Sequence, residues 1–298
     1  MNTFEPYYDP LDMTTCVTAT STLAEINAKA SKDKLYYPLV LNPAESIDAQ
    51  IRAIQYCPES YRYGSLSDNI LGMTIRVNDN EFRIGSRVVK NATGYDLNRF
   101  IASKVPNFVS IKNVILRLRP QFDKIESRKI RGTKEALIRI IKELNRSSWS
   151  HVINALTLHI TTESNVLYMS FSCEERSIEL YDEMIIELAG DCEISSDELK
   201  HSLSLSDSSK IKATISESIK QAFELTEKFA GEALCFPGNG YLLHQADASD
   251  ELKSYLNSLN TDLASMSGHV DSSMIVHQES EWEIEMREKL EQHWMDLV

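Results

Sequence analysis

The spacing of apolar residues changes period several times along the 298 residues, and each change marks an element. Thr15 to Thr20 is a β-branched run that predicts a strand. Leu23 to Ala30 carries apolar residues at helical spacing and predicts a short amphipathic helix, and Leu35 to Leu41 predicts a second strand. Pro38 inside that strand predicts an edge or a bulge, because proline has no N–H to give to a ladder. Ser46 to Ile54 places Ile47, Ile51 and Ile54 at i, i+4 and i+7 behind a serine able to cap, the pattern of a helix. Met73 to Val77 and Glu81 to Ile84 read as partner strands around Asn78-Asp79-Asn80, whose side chains tolerate a tight turn. A polar loop from Val88 to Arg99 runs into a helical stretch at Phe100 to Lys104. Ser110 to Arg119 then alternates, with Val114, Leu116 and Leu118 on one face and Arg117 and Arg119 towards the other.

Beyond Pro120 the order strand, helix, strand, strand, helix predicts an α+β unit built from ferredoxin-like halves. Thr133 caps a helix with Leu137, Ile138, Ile141 and Leu144 on its buried stripe, and Ala155 to Thr161 pairs with Val166 to Ser172. Ile178, Tyr181, Met184, Ile185 and Leu188 line a second helix. Ser195 to Ser209 is a polar surface loop, and Ile215 to Phe229 resumes a helical pattern. Gly231 to Gln245 and a helix from Ser249, with Leu252, Tyr255, Leu256, Leu259 and Leu263 inward, repeat the strand-helix unit. Gly238-Asn239-Gly240 is a turn, Met274 to His277 a last strand, and Trp282, Met286, Leu290, Trp294 and Leu297 mark a terminal helix.

Charge adds a boundary to this picture. Residues 1–120 hold 14 basic and 12 acidic side chains and residues 121–298 hold 17 and 32, so the two parts stand at +2 and −15. That step predicts two domains, 1–120 and 121–298. A net charge of −13 argues against nucleic acid and anionic membrane partners, which would be repelled. No apolar run approaches the roughly eighteen residues needed to span a bilayer. Met1-Asn2-Thr3-Phe4-Glu5 lacks a basic start and an apolar core, so a cytoplasmic location is expected. Cys16, Cys57, Cys173, Cys192 and Cys235 are odd in number and far apart, which fits free thiols in a reducing compartment. The seven histidines form no His-x-x-x-His pair and no serine sits in a Gly-x-Ser-x-Gly elbow, so neither metal ligands nor a catalytic nucleophile are assigned.

One stretch carries candidate chemistry: Gly64-Ser-Leu-Ser-Asp68 with Ile70-Leu71-Gly72, the hairpin, and then Val88-Val89-Lys90-Asn91-Ala92-Thr93-Gly94-Tyr95-Asp96-Leu97-Asn98-Arg99. These residues resemble the FAD-linked oxidases of the vanillyl-alcohol-oxidase (PCMH) fold, and within them the FAD-binding subunit of glycolate oxidase. That family reads Gly-x-x-x-Asp-x-(Val/Ile)-Leu-Gly, a hairpin, and Val-x-Lys-Asn-x-x-Gly-Tyr-Asp-Leu-x-Arg-Leu; the chain matches every named position except the last, where Phe100 stands. The resemblance implies an α+β protein, a truncated PCMH-type FAD-binding domain over 1–120 followed by an α+β cap over 121–298, with FAD as cofactor. It implies Gly64, Asp68, Lys90, Asn91, Gly94, Tyr95, Asp96, Arg99 and Ile111 as cofactor-binding positions. Lys90 and Arg99 read equally as phosphate contacts or solvated loop charges, Asp96 as a helix cap, and Tyr95 as packing. The family's first subdomain, with its own phosphate loop, is expected to be missing ahead of this stretch.

Departures from the family change what it implies. Relatives read approximately Ala-Thr-Ile-Gly-Gly and a later Gly-Pro before the Tyr-Gly; here Asp48, Ala49 and Cys57 stand at three of those glycines. A Cβ there intrudes where backbone N–H groups approach the FAD pyrophosphate. Ser103, Pro106 and Val109 replace three more glycines against the isoalloxazine edge, and Pro106 also removes a donor. A carboxylate at Asp48 about 4 Å from a phosphate is expected to cost on the order of 4 kcal/mol at an effective dielectric near 20, roughly a thousandfold in affinity. The Phe-Asp-Pro and Asn-Pro-Gly-Arg tail of relatives has no counterpart. The expectation is a subunit or paralogue of a glycolate-oxidase-type 2-hydroxy-acid oxidoreductase that binds FAD weakly or not at all. It would serve as a scaffold or regulator among the protein subunits of an oxidase complex or in a homo-oligomer. The alternative is an active FAD-dependent subunit that oxidises a small 2-hydroxy acid and passes electrons to an iron–sulfur partner.

Overall fold

The computed structural model describes residues 3–39, 42–53, 57–87, 97–103, 105, 108–196, 210–216, 219–237, 241–247, 249–251 and 254–255. The chain opens with β1 (Tyr7–Asp9) and β2 (Thr14–Thr18), an antiparallel pair. Thr22 then starts α1 (Leu23–Ala30) with a reciprocal cap: its hydroxyl accepts from the Glu25 N–H, and the Glu25 carboxylate accepts from the Thr22 N–H. Two donors that a helix start leaves open are satisfied at once.

The second expected strand is reduced to β3 (Leu35–Tyr36). It stops before Pro38 because Asn27 takes over the backbone of Tyr37: Asn27 Oδ1 accepts from its N–H at 2.7 Å and Nδ2 donates to its carbonyl at 3.2 Å. The helices α2 (Ile47–Ala53) and α3 (Ser60–Tyr63) lead to the hairpin β4 (Ile70–Val77) and β5 (Asn80–Gly85). After α4 (Leu97–Ser103), β6 (Val109–Arg117) enters the middle of a five-stranded antiparallel sheet of order β1-β2-β6-β4-β5. One face of that sheet, with Met73, Ile75, Val114 and Leu116, packs against Leu23 and Ile26 of α1 and Ile47 and Ile51 of α2. The other face is also covered at its centre, where Ile115 is fully buried against Phe4 and Cys16. Alternation on β6 therefore understates its burial, because the N-terminal segment crosses the face that sequence spacing left to polar residues.

β7 (Arg119–Pro120) pairs with β3, and β8 (Lys124–Arg131), α5 (Lys134–Arg146), β9 (Ile153–Ile160), β10 (Asn165–Cys173) and α6 (Ile178–Ala189) follow. The described part closes with β11 (Glu193–Ser195), β12 (Lys210–Ser216), α7 (Ile219–Phe229), β13 (Glu232–Phe236) and β14 (Tyr241–Asp247). These last strands, with β8, β9 and β10, make one seven-stranded antiparallel sheet of order β11-β8-β10-β9-β13-β14-β12. Leu137, Ile140, Ile141 and Leu144 of α5 meet Leu156, Leu167, Met169 and Phe171 of the sheet in a second core. Ile140 takes the place expected for Ile138, which lies half-buried at the rim. Residues 215 and 216 complete β12, so helical structure begins at Ile219 rather than Ile215. The turn at 238–240, most of the helix from Ser249, the strand at 274–277 and the terminal helix lie outside the described residues.

The two cores meet through α3 and the residues before it. The Pro58 carbonyl accepts from the Leu156 N–H at 3.1 Å, capping a stretch of β9 that β13 does not reach. Tyr61 Oη donates to Asn145 Oδ1 at 2.9 Å, and Arg62 donates to Asn154 and Ser172. Among the described residues no helix is long and apolar enough to cross a membrane.

Candidate functional site

Gly64 closes α3 at φ +78°, and a Cβ there would stand 2.8 Å from Asp68 Oδ2. Only glycine permits both the torsion and the approach. Asp68 holds the turn that results: its Oδ2 accepts from the Ser65 N–H at 2.9 Å and from the Ser65 hydroxyl at 2.7 Å, while Oδ1 lies 2.8 Å from Arg99 Nη2. Asn69 braces the same turn by donating to the Tyr63 and Ser65 carbonyls, and its Oδ1 accepts from Arg119 at 3.1 Å. Asn98 of α4 donates to the Ile70 carbonyl at 2.7 Å, which fixes Arg99 over the turn.

The structure thus brings together Gly64, Asp68 and Arg99, with the Arg99 charge directed at Asp68. Ile111, opposite Ile75 on β6, is 8% exposed and belongs to the first core. Lys90, Asn91, Gly94, Tyr95 and Asp96 lie outside the described residues.

The segment aligned with the family's Gly-Gly pair is helix α2, capped by Ser46, whose hydroxyl accepts from the Ala49 N–H at 3.2 Å. The Ile47 N–H donates to the Ser21 carbonyl at 2.9 Å, the Asp48 N–H to the Ala19 carbonyl at 3.0 Å, and the Gln50 N–H to the Ser46 carbonyl at 3.1 Å. Every N–H from residue 47 to residue 50 is therefore engaged within the chain. A pyrophosphate cradle needs such groups open, and the residues present here do not fit one.

Asp48 acts differently from the expectation. Its two oxygens each lie 3.1 Å from Arg52 Nε, and Arg52 Nη2 donates to the Val109 carbonyl at 2.9 Å. The carboxylate is compensated by a cation, which weakens the repulsion expected of a phosphate. Asp48 and Val109, two of the positions at which the family resemblance implies glycine, are thereby tied to each other through one guanidinium. Cys57, at a third, is buried, and its N–H donates to Ser60 Oγ at 3.0 Å. Burial, with Glu59 beside it, raises the Cys57 thiol well above the usual range.

Three features escaped the sequence reading. Arg62 leaves α3 to reach the seven-stranded sheet. His159 Nε2 meets Glu232 Oε1 at 2.5 Å across β9 and β13. His244, on β14, is 1% exposed, and neither ring nitrogen has a hydrogen-bond partner among the described residues. Their partners are distant in sequence or, for His244, not found among the described residues, so no local spacing marks them. Among the described residues no group of His, Cys, Asp or Glu is arranged to hold a metal ion.

Comparison with solved structures places this architecture. Alkyldihydroxyacetonephosphate synthase superimposes in two crystal forms with TM-scores of 0.63 and 0.60 at 10% identity, over 90% and 86% of this chain. Physcomitrella patens BBE-like 1 superimposes with a TM-score of 0.61 at 11% identity over 91% of this chain and 72% of its own. The chain spans about 60% of the length of the synthase, 61% and 60% in the two forms. No family model and no curated protein matches the sequence. At these identities the likeness is one of fold, and the fold is the α+β, PCMH-type arrangement followed by an α+β cap.

Proposed function

We propose that the chain is a subunit or paralogue of a glycolate-oxidase-type FAD-linked 2-hydroxy-acid oxidoreductase in which the flavin site has decayed, so that it serves as a scaffold or regulatory partner in the cytoplasm. The observation that carries this reading is the engagement of the N–H groups of residues 47–50 inside helix α2, where the resemblance calls for an open cradle. The Asp48–Arg52–Val109 link supports it, since it stabilises that closed arrangement from both replaced segments. The partner carries a basic surface that complements the −15 of residues 121–298.

A second reading, an active FAD-dependent subunit, draws support from the intact turn of Gly64, Asp68 and Arg99. Purification of the native complex under gentle conditions separates the two. The scaffold reading expects a stoichiometric protein partner and a chain without flavin absorbance once that partner is removed. A yellow isolated chain, or one recovered with neither partner nor second copy, contradicts it.

A further inference from the structure

Arg62 is held on one edge and on its faces. Its Nη1 donates to Asn154 Oδ1 at 2.6 Å and to Ser172 Oγ at 3.3 Å, and the Ser172 hydroxyl donates to the same Asn154 oxygen at 2.9 Å. Asn154 and Ser172 are 5% and 2% exposed, so this anchor is fixed and neutral. The guanidinium carbon lies 4.6 Å from the Phe122 ring centroid and 5.7 Å from that of Tyr63. Arg62 lines an open cleft of about 500 Å³ together with Phe122, Ser172 and Tyr181. Among the described residues its Nε and Nη2 have no hydrogen-bond partner and no carboxylate within ion-pair distance. A guanidinium whose orientation is fixed before anything arrives loses little freedom on binding an oxyanion.

The surrounding charge points the same way. Arg119, whose guanidinium carbon is 5.4 Å from the centroid of the same Tyr63 ring, donates to the neutral Asn69, and its buried Nε has no partner among the described residues. Burial first, then the neighbouring Arg117, lowers the hold of Arg119 on its proton. Among the described residues none of Arg62, Arg117 and Arg119 is paired with a carboxylate, in a chain of net charge −13. Of the three, Arg62 lines the cleft, and a cation without a carboxylate partner in an acidic protein calls for an anion. Asp123 also lines this cleft, whereas the Glu174 carboxylate there is engaged by Arg176 at 2.5 Å. An unpaired carboxylate on the wall disfavours a multiply charged ligand such as a phosphate ester.

We propose that the cleft at the junction of α3 with the seven-stranded sheet binds a small organic monocarboxylate, with Arg62 as receptor for its carboxylate and Phe122 and Tyr181 as walls for its apolar body. The site stands whether or not FAD binds, because none of the groups invoked belongs to the cofactor segments.

Calorimetric titration of the full chain with phenylacetate, phenylacetamide and phenethylamine tests this. Phenylacetate is expected to bind at millimolar concentrations and the neutral and cationic analogues not to bind. Arg62→Gln is expected to weaken phenylacetate at least tenfold, given the strength of charge-assisted hydrogen bonds. Ser177→Trp, on the cleft wall and outside the Asn154–Ser172 anchor, is expected to abolish binding without moving the unfolding midpoint, so a folding defect in the Arg62 variant leaves the test intact. Asp123→Asn is expected to tighten binding. Failure of phenylacetate to bind, equal binding of its amide or amine, unchanged affinity in Ser177→Trp, or weaker binding in Asp123→Asn would overturn the proposal.

Discussion

Gly85 stands at φ +73°, and a Cβ placed on it would lie 2.4 Å from the Leu71 carbonyl oxygen and 2.7 Å from the Gly72 Cα. Both neighbours are backbone of the adjacent strand and cannot swing away. Gly85→Ala is therefore expected to lower the free energy of unfolding in urea by roughly 2–3 kcal/mol; a variant with wild-type stability would show that the hairpin end relaxes freely. His244 makes a second prediction. Burial alone lowers its pKa from 6.5 to about 4, so the unfolded chain binds a proton that the folded chain refuses. Stability present above pH 6.5 is lost as pH falls through the window down to about 4, by up to about 3 kcal/mol. His244→Leu should remove that slope from a series of urea unfolding curves. An unchanged slope would assign it to another group. Gly64 and Asp68 were legible as residues because their spacing is a motif. Arg52 and Arg62 were not, since a single arginine in a helical stretch reads as a solvated charge until its partners, Val109 and Asn154, are brought to it by the fold.

Helix α2 is the element on which the functional reading turns, and it tests itself. If residues 46–53 are a capped helix, Asp48→Gly with Ala49→Gly adds two flexible residues to its first turn and removes the Arg52 partner. That double variant is expected to lose about 1–2 kcal/mol of stability. A segment that merely cradled a ligand would lose nothing by regaining glycines, and an unchanged midpoint in urea would contradict the helix. The helix itself was readable from Ile47, Ile51 and the capping Ser46, as α1 was from Leu23 to Ala30 and α5 from Thr133 onward, because each buries one stripe against one sheet. Reading failed where burial comes from elsewhere in the chain. β3 is short because Asn27, ten residues earlier, occupies the backbone of Tyr37. Ile115 is buried because Phe4 covers it. β12 runs to Ser216 and α7 starts at Ile219, and the apolar pattern from Ile215 blends the two periods.

At the scale of the whole molecule, among the described residues the five-stranded sheet draws on residues 7–117 and the seven-stranded sheet on residues 124–247. The second core is likewise assembled almost wholly from residues 130–242. We propose on that basis a boundary near residue 120, and a fragment of residues 121–298 is expected to give a circular dichroism spectrum of mixed helix and strand with a cooperative thermal transition. A coil spectrum would contradict it. Such a fragment loses the Pro58 carbonyl that serves Leu156 and the Arg62 side chain between Asn154 and Ser172, so its midpoint should fall below that of the full chain. The proposed function, in which a PCMH-type fold has its pyrophosphate place closed by helix α2, meets its most direct test in equilibrium titration of the purified full chain with FAD, followed by flavin fluorescence. The account predicts no saturable change at micromolar FAD, and saturable stoichiometric binding in that range would contradict it.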